Sequence, residues 1–305
     1  MIDAISLVYN LPEPPKQVVD KCNKPFEWYN LIWNPKFDKY GTPYAYNTKI
    51  KNLHITMTAD RIKIENSIQK FYRNNNYEPF NFHQLKEAYN QLNDLLPFNL
   101  YEAKISSLEI GVAIEEDTST VLSSWANFNG KQAAPMLSRN NQYGAKYFLT
   151  EYSVKGYDKT KEVAHHDQIL LPQQLFRFEV AVKTKNLNRG KYGIGIYTVN
   201  DLIDPFKYQL LGNFLIEKYK QIEKVPVIEL KNTTIKEKRL IATFKDTIIL
   251  KSIKKQHPDS YKKDKIIHNK IIKKLNDNSF QTRIADKILE QVQKCYNNPL
   301  VKLVI

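Results

Sequence analysis

Two short segments, SSLEIGVAI (residues 106–114) and FRFEVAV (residues 176–182), put every branched or aromatic side chain at two-residue spacing. That period belongs to a β-strand, in which successive side chains point to opposite faces. Leu108, Ile110, Val112 and Ile114 form one apolar face, with Glu109, Gly111 and Ala113 on the other. Phe176, Phe178, Val180 and Val182 do the same, opposite Arg177, Glu179, Ala181 and Lys183. Strands with one dry and one wet face build antiparallel sheets covered on one side only. Around Glu109 the wet face is kept small, which leaves room above it for something bulky.

Further segments support an α+β fold. DAISLVY (3–9) reads as a first strand stopped by the prolines at 12, 14 and 15. Residues 47–72 read as a hairpin, with Leu53, Ile55 and Met57 alternating and then Ile62 and Ile64. Leu85, Ala88, Tyr89, Leu92 and Leu96 switch to three- and four-residue intervals, the mark of an amphipathic helix. A short helix is expected over 118–128, a polar loop over 129–144, and strands over 146–159 and 175–183. The two strands are joined by a loop carrying His165 and His166. Residues 198–220 read as helix, capped at Thr198 or Asn200. After Pro226 a β-rich basic stretch, IKEKRLIATFKDTIILKSI, precedes helices near 262–276 and 281–296. The expected architecture is therefore an antiparallel-sheet domain with flanking helices over 1–228 and a smaller basic region over 229–305.

Charge separates these two parts. The chain of 305 residues carries a formal net charge of +14. From Lys231 onward there are 18 Lys and Arg against 7 Asp and Glu, so residues 1–230 hold only a small excess. A positive field of this kind attracts polyanions. In the last quarter Lys262, Lys263, Lys270, Lys273 and Lys274 interleave with Ile266, Ile267, Ile271 and Ile272, so the isoleucines are expected to pack while the lysines line a DNA-binding surface. Nine glycines and 42% hydrophobic residues argue against disorder and glycine-rich linkers. Cys22 and Cys295 are too far apart in sequence to suggest a disulfide framework. No run reaches the length of a membrane span, and MIDAISLVYNLPEPP lacks the features of a secretion signal, so a cytoplasmic location is expected.

Placed side by side, the strands gather Glu109, Glu179, Lys155, Lys159, Arg177 and Tyr157. Phosphodiester cleavage uses such groups: carboxylates for a divalent ion, cations for transition-state charge, a tyrosine oxygen for attack. The residues alone also fit a solvated sheet face with alternating charge and a tyrosine used for packing.

In succession, SLEIGVAI, SVKGYDKTKE and LFRFEVAVK resemble the RiDlai, iYDKxxE and lRvElrlk motifs of the rolling-circle replication initiators of filamentous phages and small plasmids. The opening MIDAISLVY resembles the phage group, and the match spans roughly residues 1–205. The resemblance implies a sheet-based nickase working on single- and double-stranded DNA at a replication origin in a bacterial cell, with a host helicase as a further partner. It implies that Tyr157 attacks, forming a 5′-phosphotyrosine link and freeing a 3′-hydroxyl primer, assisted by Lys155 and Lys159. Glu109, Glu179 and Glu162 fall where the family carries acidic residues. With no His-x-His pair in the chain, any metal, Mg²⁺ or Mn²⁺, rests on these carboxylates. Arg177 and Lys183 are expected along the DNA path. A non-catalytic DNA-binding protein of a mobile element, or an RNA-binding protein, is the alternative.

Overall fold

The computed structural model describes residues 1–138, 141–190, 192–224, 233–245, 247–275 and 279–296. The first strand, β1 (Ile2–Asn10), ends where the prolines remove backbone donors. After one turn of helix, α1 (Lys16–Val19), come β2 (Phe26–Trp28), β3 (Leu31–Phe37), β4 (Pro43–Ile50), β5 (Leu53–Met57) and β6 (Arg61–Ser67), each antiparallel to the next. The expected single hairpin over 47–72 is thus part of a longer meander, and its tail is helix. Ser67 accepts a hydrogen bond from the Lys70 backbone and starts α2 (Ile68–Arg73). The amphipathic helix is α3 (Phe82–Asp94), opened by an Asn81–Gln84 capping box.

Then follow β7 (Lys104–Glu115), α4 (Thr118–Ser123), β8 (Trp125–Asn127), β9 (Ala134–Ser138), β10 (Asn141–Phe148), β11 (Tyr152–Asp158), α5 (Lys159–His166) and β12 (Leu175–Lys183). Three expectations change here. The polar stretch 129–144 contains β9 and the start of β10, because its side chains face a wet edge and show no apolar alternation. Residues 146–159 form parts of two strands, turning at 149–151, and not one. His165 and His166 end a helix whose N-cap is Asp158, which accepts from the Lys161 backbone.

The chain continues through α6 (Thr184–Leu187), α7 (Val199–Leu202), α8 (Pro205–Gln221) and the short β13 (Glu223–Lys224). Next come α9 (Ile235–Lys245), α10 (Thr247–Gln256), α11 (Pro258–Leu275) and α12 (Ser279–Lys294). The region expected to be β-rich is therefore helical. Its isoleucines and threonines suggest strand, but Leu240, Ile241 and Phe244 follow helical spacing, and packing among α9, α10 and α11 overrides the propensity.

Eleven strands form one antiparallel sheet in the order β2-β3-β4-β5-β6-β1-β7-β12-β11-β10-β9. The three strands carrying the motifs, β7, β12 and β11, are neighbours. Phe178 on the apolar face of β12 meets Tyr219 of α8 edge-on at 5.1 Å. Beside α8, Ile284, Ile288 and Val292 of α12 are buried in the same core, and the Phe82 backbone of α3 donates to the Cys295 carbonyl at 2.8 Å. The last helix of the 229–305 region is thus seated in the core of the sheet domain. By contrast α9, α10 and α11 pack against one another, with Phe244 stacked on His268 at 4.2 Å. On α11 Ile271 is buried, but Ile266 and Ile267 are exposed among Lys262, Lys263 and Lys270, against the expectation that they pack. The side chains of Ile272, Lys273 and Lys274 lie outside the described residues.

Candidate active site

Antiparallel register fixes what meets on the polar face of β7, β12 and β11. Ala181 lies opposite Glu109, Glu179 opposite both Gly111 and Lys155, and Arg177 opposite Tyr157. Glu109 and Glu179 therefore share one face, as expected. The space kept above β7 is filled by Glu179: a Cβ on Gly111 would lie 2.4 Å from its Cγ. Lys155 Nζ stands 2.6 Å from Glu109 Oε1 and 2.6 Å from Glu179 Oε2. These are charge contacts, and Oε2 of Glu179 has no aligned hydrogen-bond donor. Arg177 pairs through Nε with Glu179 Oε1, donates through Nη2 to Asp3 Oδ2 at 2.9 Å, and through Nη1 to the Asn76 carbonyl at 2.6 Å.

Sequence reasoning missed Asp3 and Asn76. Asp3 sits where β1 slips register against β7, and accepts from Ser67 Oγ at 2.6 Å and from Asn76 Nδ2 at 3.2 Å. Asn76 comes from the connection between α2 and α3. Its side-chain oxygen accepts from Lys159 Nζ at 2.8 Å. Lys159, expected on the strand face, instead opens α5 and reaches back, fully buried, to pair also with Glu162.

Tyr157 points to this same face but does not open to solvent. It is 4% exposed, and its hydroxyl donates to Glu179 Oε1 at 3.1 Å. Burial, reinforced by the negative charge of Glu179, pushes the phenol well above its ordinary range. Burial would also raise the Glu179 carboxyl, but Arg177 and Lys155 outweigh it and hold that group well below the usual carboxylate range. Glu109 goes the other way: burial and the nearby Glu179 raise it, against the pull of Lys155. Lys159 is lowered, first by burial and then by Arg177.

The donor set does not fit a divalent ion as it stands. Glu109 and Glu179 aim their oxygens at an ammonium and a guanidinium, while Glu162 faces Lys159. Among the described residues no group of three or more His, Cys, Asp or Glu is placed to hold a metal.

A cleft of about 1060 Å³ opens where β9 and β10 meet α5, lined by Ser138, Tyr143, Lys161, Glu162, His165 and His166. Tyr143 is half-buried, makes no protein hydrogen bond among the described residues, and sets its ring edge-on to Tyr157 at 6.2 Å. It also lines a second hollow with Ser119, Asp158 and Lys161. The two imidazoles stack at 4.8 Å in the exposed last turn of α5. No sequence pattern singled out Tyr143, one of 19 tyrosines, standing in a stretch expected to be loop. Of the other expected residues, Lys183 is exposed at the far end of β12, and Lys262, Lys263 and Lys270 are exposed on α11.

No protein-family model and no curated protein matches the sequence. Among solved structures the chain is similar to a rolling circle replication initiator protein from Geobacillus stearothermophilus, at 12% identity and a TM-score of 0.40, over 78% of this chain and 90% of that one. No helix among the described residues is long and apolar enough to cross a membrane.

Proposed function

We propose that this protein opens rolling-circle replication by nicking one DNA strand through a tyrosine, and that Tyr143 is the attacking residue. One observation carries the assignment: a cleft of about 1060 Å³ is lined together by the half-buried Tyr143, Glu162, Lys161, His165 and His166, two of them within the YDKTKE segment. Tyr157 is the poorer nucleophile, because its hydroxyl is closed in and committed to Glu179. Its role in this reading is to brace Tyr143 against the buried charge network.

In the proposed step the Tyr143 oxygen bonds to phosphorus as the bond to the 3′ oxygen breaks. The phenolic proton passes to one imidazole, and the leaving 3′ oxygen takes a proton from the other. Lys161 offsets charge on the phosphoryl oxygens. No step runs through a metal ion, since Glu109 and Glu179 are neutralised by Lys155 and Arg177. Duplex DNA binding is assigned to the lysine face of α11.

The test is incubation with end-labelled single-stranded DNA and resolution on a denaturing gel. Wild type and Tyr157→Phe are expected to give a covalent protein–DNA band, and Tyr143→Phe none. Loss of the band in a folded Tyr157→Phe, with Tyr143→Phe unaffected, would return the nucleophile to Tyr157. Sequence-tolerant binding without an adduct in any variant would favour a non-catalytic DNA-binding protein.

A further inference from the structure

Between α5 and β12 the chain passes through residues 168–172, QILLP, a segment tied down at both ends but not along its length. Before it, Asp167 caps α5 and pairs with Lys70 of α2 at 3.2 Å. After it, the Gln173 carbonyl accepts from Thr160 Oγ1 at 3.0 Å, and the Leu175 backbone donates back to that oxygen at 2.8 Å. Gln174 Nε2 adds a third tie, to Asp117 Oδ1 at 3.2 Å. Residues 168–172 make no hydrogen bond among the described residues. Few bonds between firm anchors mark the parts of a protein that open most readily. Gln168 has a φ of +57°, a left-handed conformation that L side chains adopt rarely, while the ring of Pro172 restricts the other end. Positions of this kind absorb the backbone change when a loop swings.

What this segment carries is apolar. Leu170 is 88% exposed, the most open large apolar side chain among the described residues, and Ile169 beside it is also exposed. A second open leucine, Leu137, stands on the edge strand β9 at 58% exposure. Gln168 and Leu137 line the same cleft, one from the end of α5 and the other from the strand wall. Leu137 lies opposite Gln142, immediately before the register slip that contains Tyr143. Apolar groups left in water on two walls of one cleft gain free energy by meeting. Five extended residues span at most about 17 Å, so the anchored segment can reach only the cleft and its rim.

We infer that residues 168–172 are a lid, which closes by seating Leu170 and Ile169 against Leu137 and so covers Tyr143. The open position described above leaves the tyrosine reachable from solvent; the closed one takes three apolar side chains out of water and excludes water from the cleft. The inference rests on the nicking reading only for what the lid protects. Under that reading Tyr143 holds a DNA end through phosphorus. Attack of water at that phosphorus would form a free 5′ phosphate and return the tyrosine its proton, ending the link. A closed lid keeps water away from that bond, and an open one admits or releases the strand.

The test is a disulfide trap in the full-length protein, Leu137→Cys with Leu170→Cys, oxidised mildly and mapped by peptide mass spectrometry to distinguish the new pair from Cys22 and Cys295. The pair is expected to cross-link in most molecules. Its reduced form should keep the wild-type thermal midpoint, because both side chains are exposed. Covering is read without DNA, by nitration of tyrosines with tetranitromethane. Tyr143 in the cross-linked protein should react at least tenfold more slowly than in wild type, while Tyr40, 79% exposed and far along the chain, reacts as before. Failure to cross-link overturns the lid, and so does nitration of Tyr143 at the wild-type rate in the cross-linked protein. A second variant, Ile169→Ser with Leu170→Ser, removes the apolar seat without a cross-link. Its covalent DNA adduct should form at the wild-type rate but be lost to water about tenfold faster; an unchanged adduct lifetime also counts against the lid. Cross-linking and shielding of Tyr143 in a protein that never forms an adduct would sink the nicking reading and leave the lid standing. An adduct in wild type with no cross-link in the cysteine pair would do the reverse.

Discussion

Glu179 is the hinge of the buried charge network, and its chemistry yields two predictions. It is fully buried between Arg177 and Lys155. Removing one partner of such a set strands the others, so Glu179→Gln should cost about 3–5 kcal/mol in chemical denaturation at pH 7. The sign of the pH dependence follows from its depressed pKa. In the unfolded chain the carboxyl protonates near its ordinary value of about 4.3, while in the fold it stays ionised. Its contribution is therefore complete above about pH 5 and fades as pH falls below about 4. The gap between wild type and Glu179→Gln should close over that range; a gap that widened in acid would contradict the assignment. Lys155→Ala provides the second test. It leaves Glu109 and Glu179 facing each other without their ammonium, so Mn²⁺ should raise the thermal midpoint of the variant but not of wild type. Alternation in the sequence suffices to put Glu109, Glu179, Arg177 and Tyr157 on one face. It cannot reveal Asp3, which depends on a register slip in β1, or Asn76, which arrives from a connection 101 residues before Arg177.

At the scale of elements, strong two-residue periods were legible and weak ones were not. β5, β6 and β7 alternate between core and a more open face, β12 alternates apolar with polar side chains although both its faces are buried, and α3 shows its three-four spacing because one face meets the core. β9 and β10 carry no such signal, since Gln142, Gly144 and Lys146 are not a dry face; Gly144 is needed because a Cβ there would lie 2.6 Å from Tyr157 Cβ. Gly111 is the sharper case of close approach. Its missing Cβ would also lie 2.6 Å from the Phe178 carbonyl, so neither neighbour can yield cheaply. Gly111→Ala is expected to destabilise the protein by about 1–3 kcal/mol and to push Glu179 off Lys155. A thermal midpoint equal to wild type would show that β7 and β12 have more slack than their register implies.

Across the whole molecule, charge and core follow different boundaries. The excess of lysine begins near residue 231, but the core takes back α12, whose Ile284 and Ile288 are almost wholly buried. Composition marks the first boundary; the second depends on packing against α8, where Gly212 leaves no room for a Cβ beside Val292. Deleting everything after residue 228 would therefore remove core as well as charge, and is expected to give an unstable protein. Charge reversal on the intact chain separates the two. Lys262→Glu, Lys263→Glu and Lys270→Glu alter exposed side chains of α11, where a loose Lys262–Asp259 pair at 3.4 Å is the ion pair they break among the described residues. If this face tracks duplex phosphates, the triple variant should bind duplex DNA far more weakly at moderate salt. Each duplex phosphate left without its lysine should lower the slope of log affinity against log salt by about 0.9. The thermal midpoint should stay near wild type, because these lysines are exposed and carry no core packing. The exposed Ile266 and Ile267 sit among the same lysines, where methyl groups of thymine would be met in a major groove. Replacing both by Ser should then reduce preference among duplex sequences and leave the salt slope alone. A triple lysine variant with an unchanged salt slope would mean that the lysines of α11 are merely solvated and that duplex is held elsewhere.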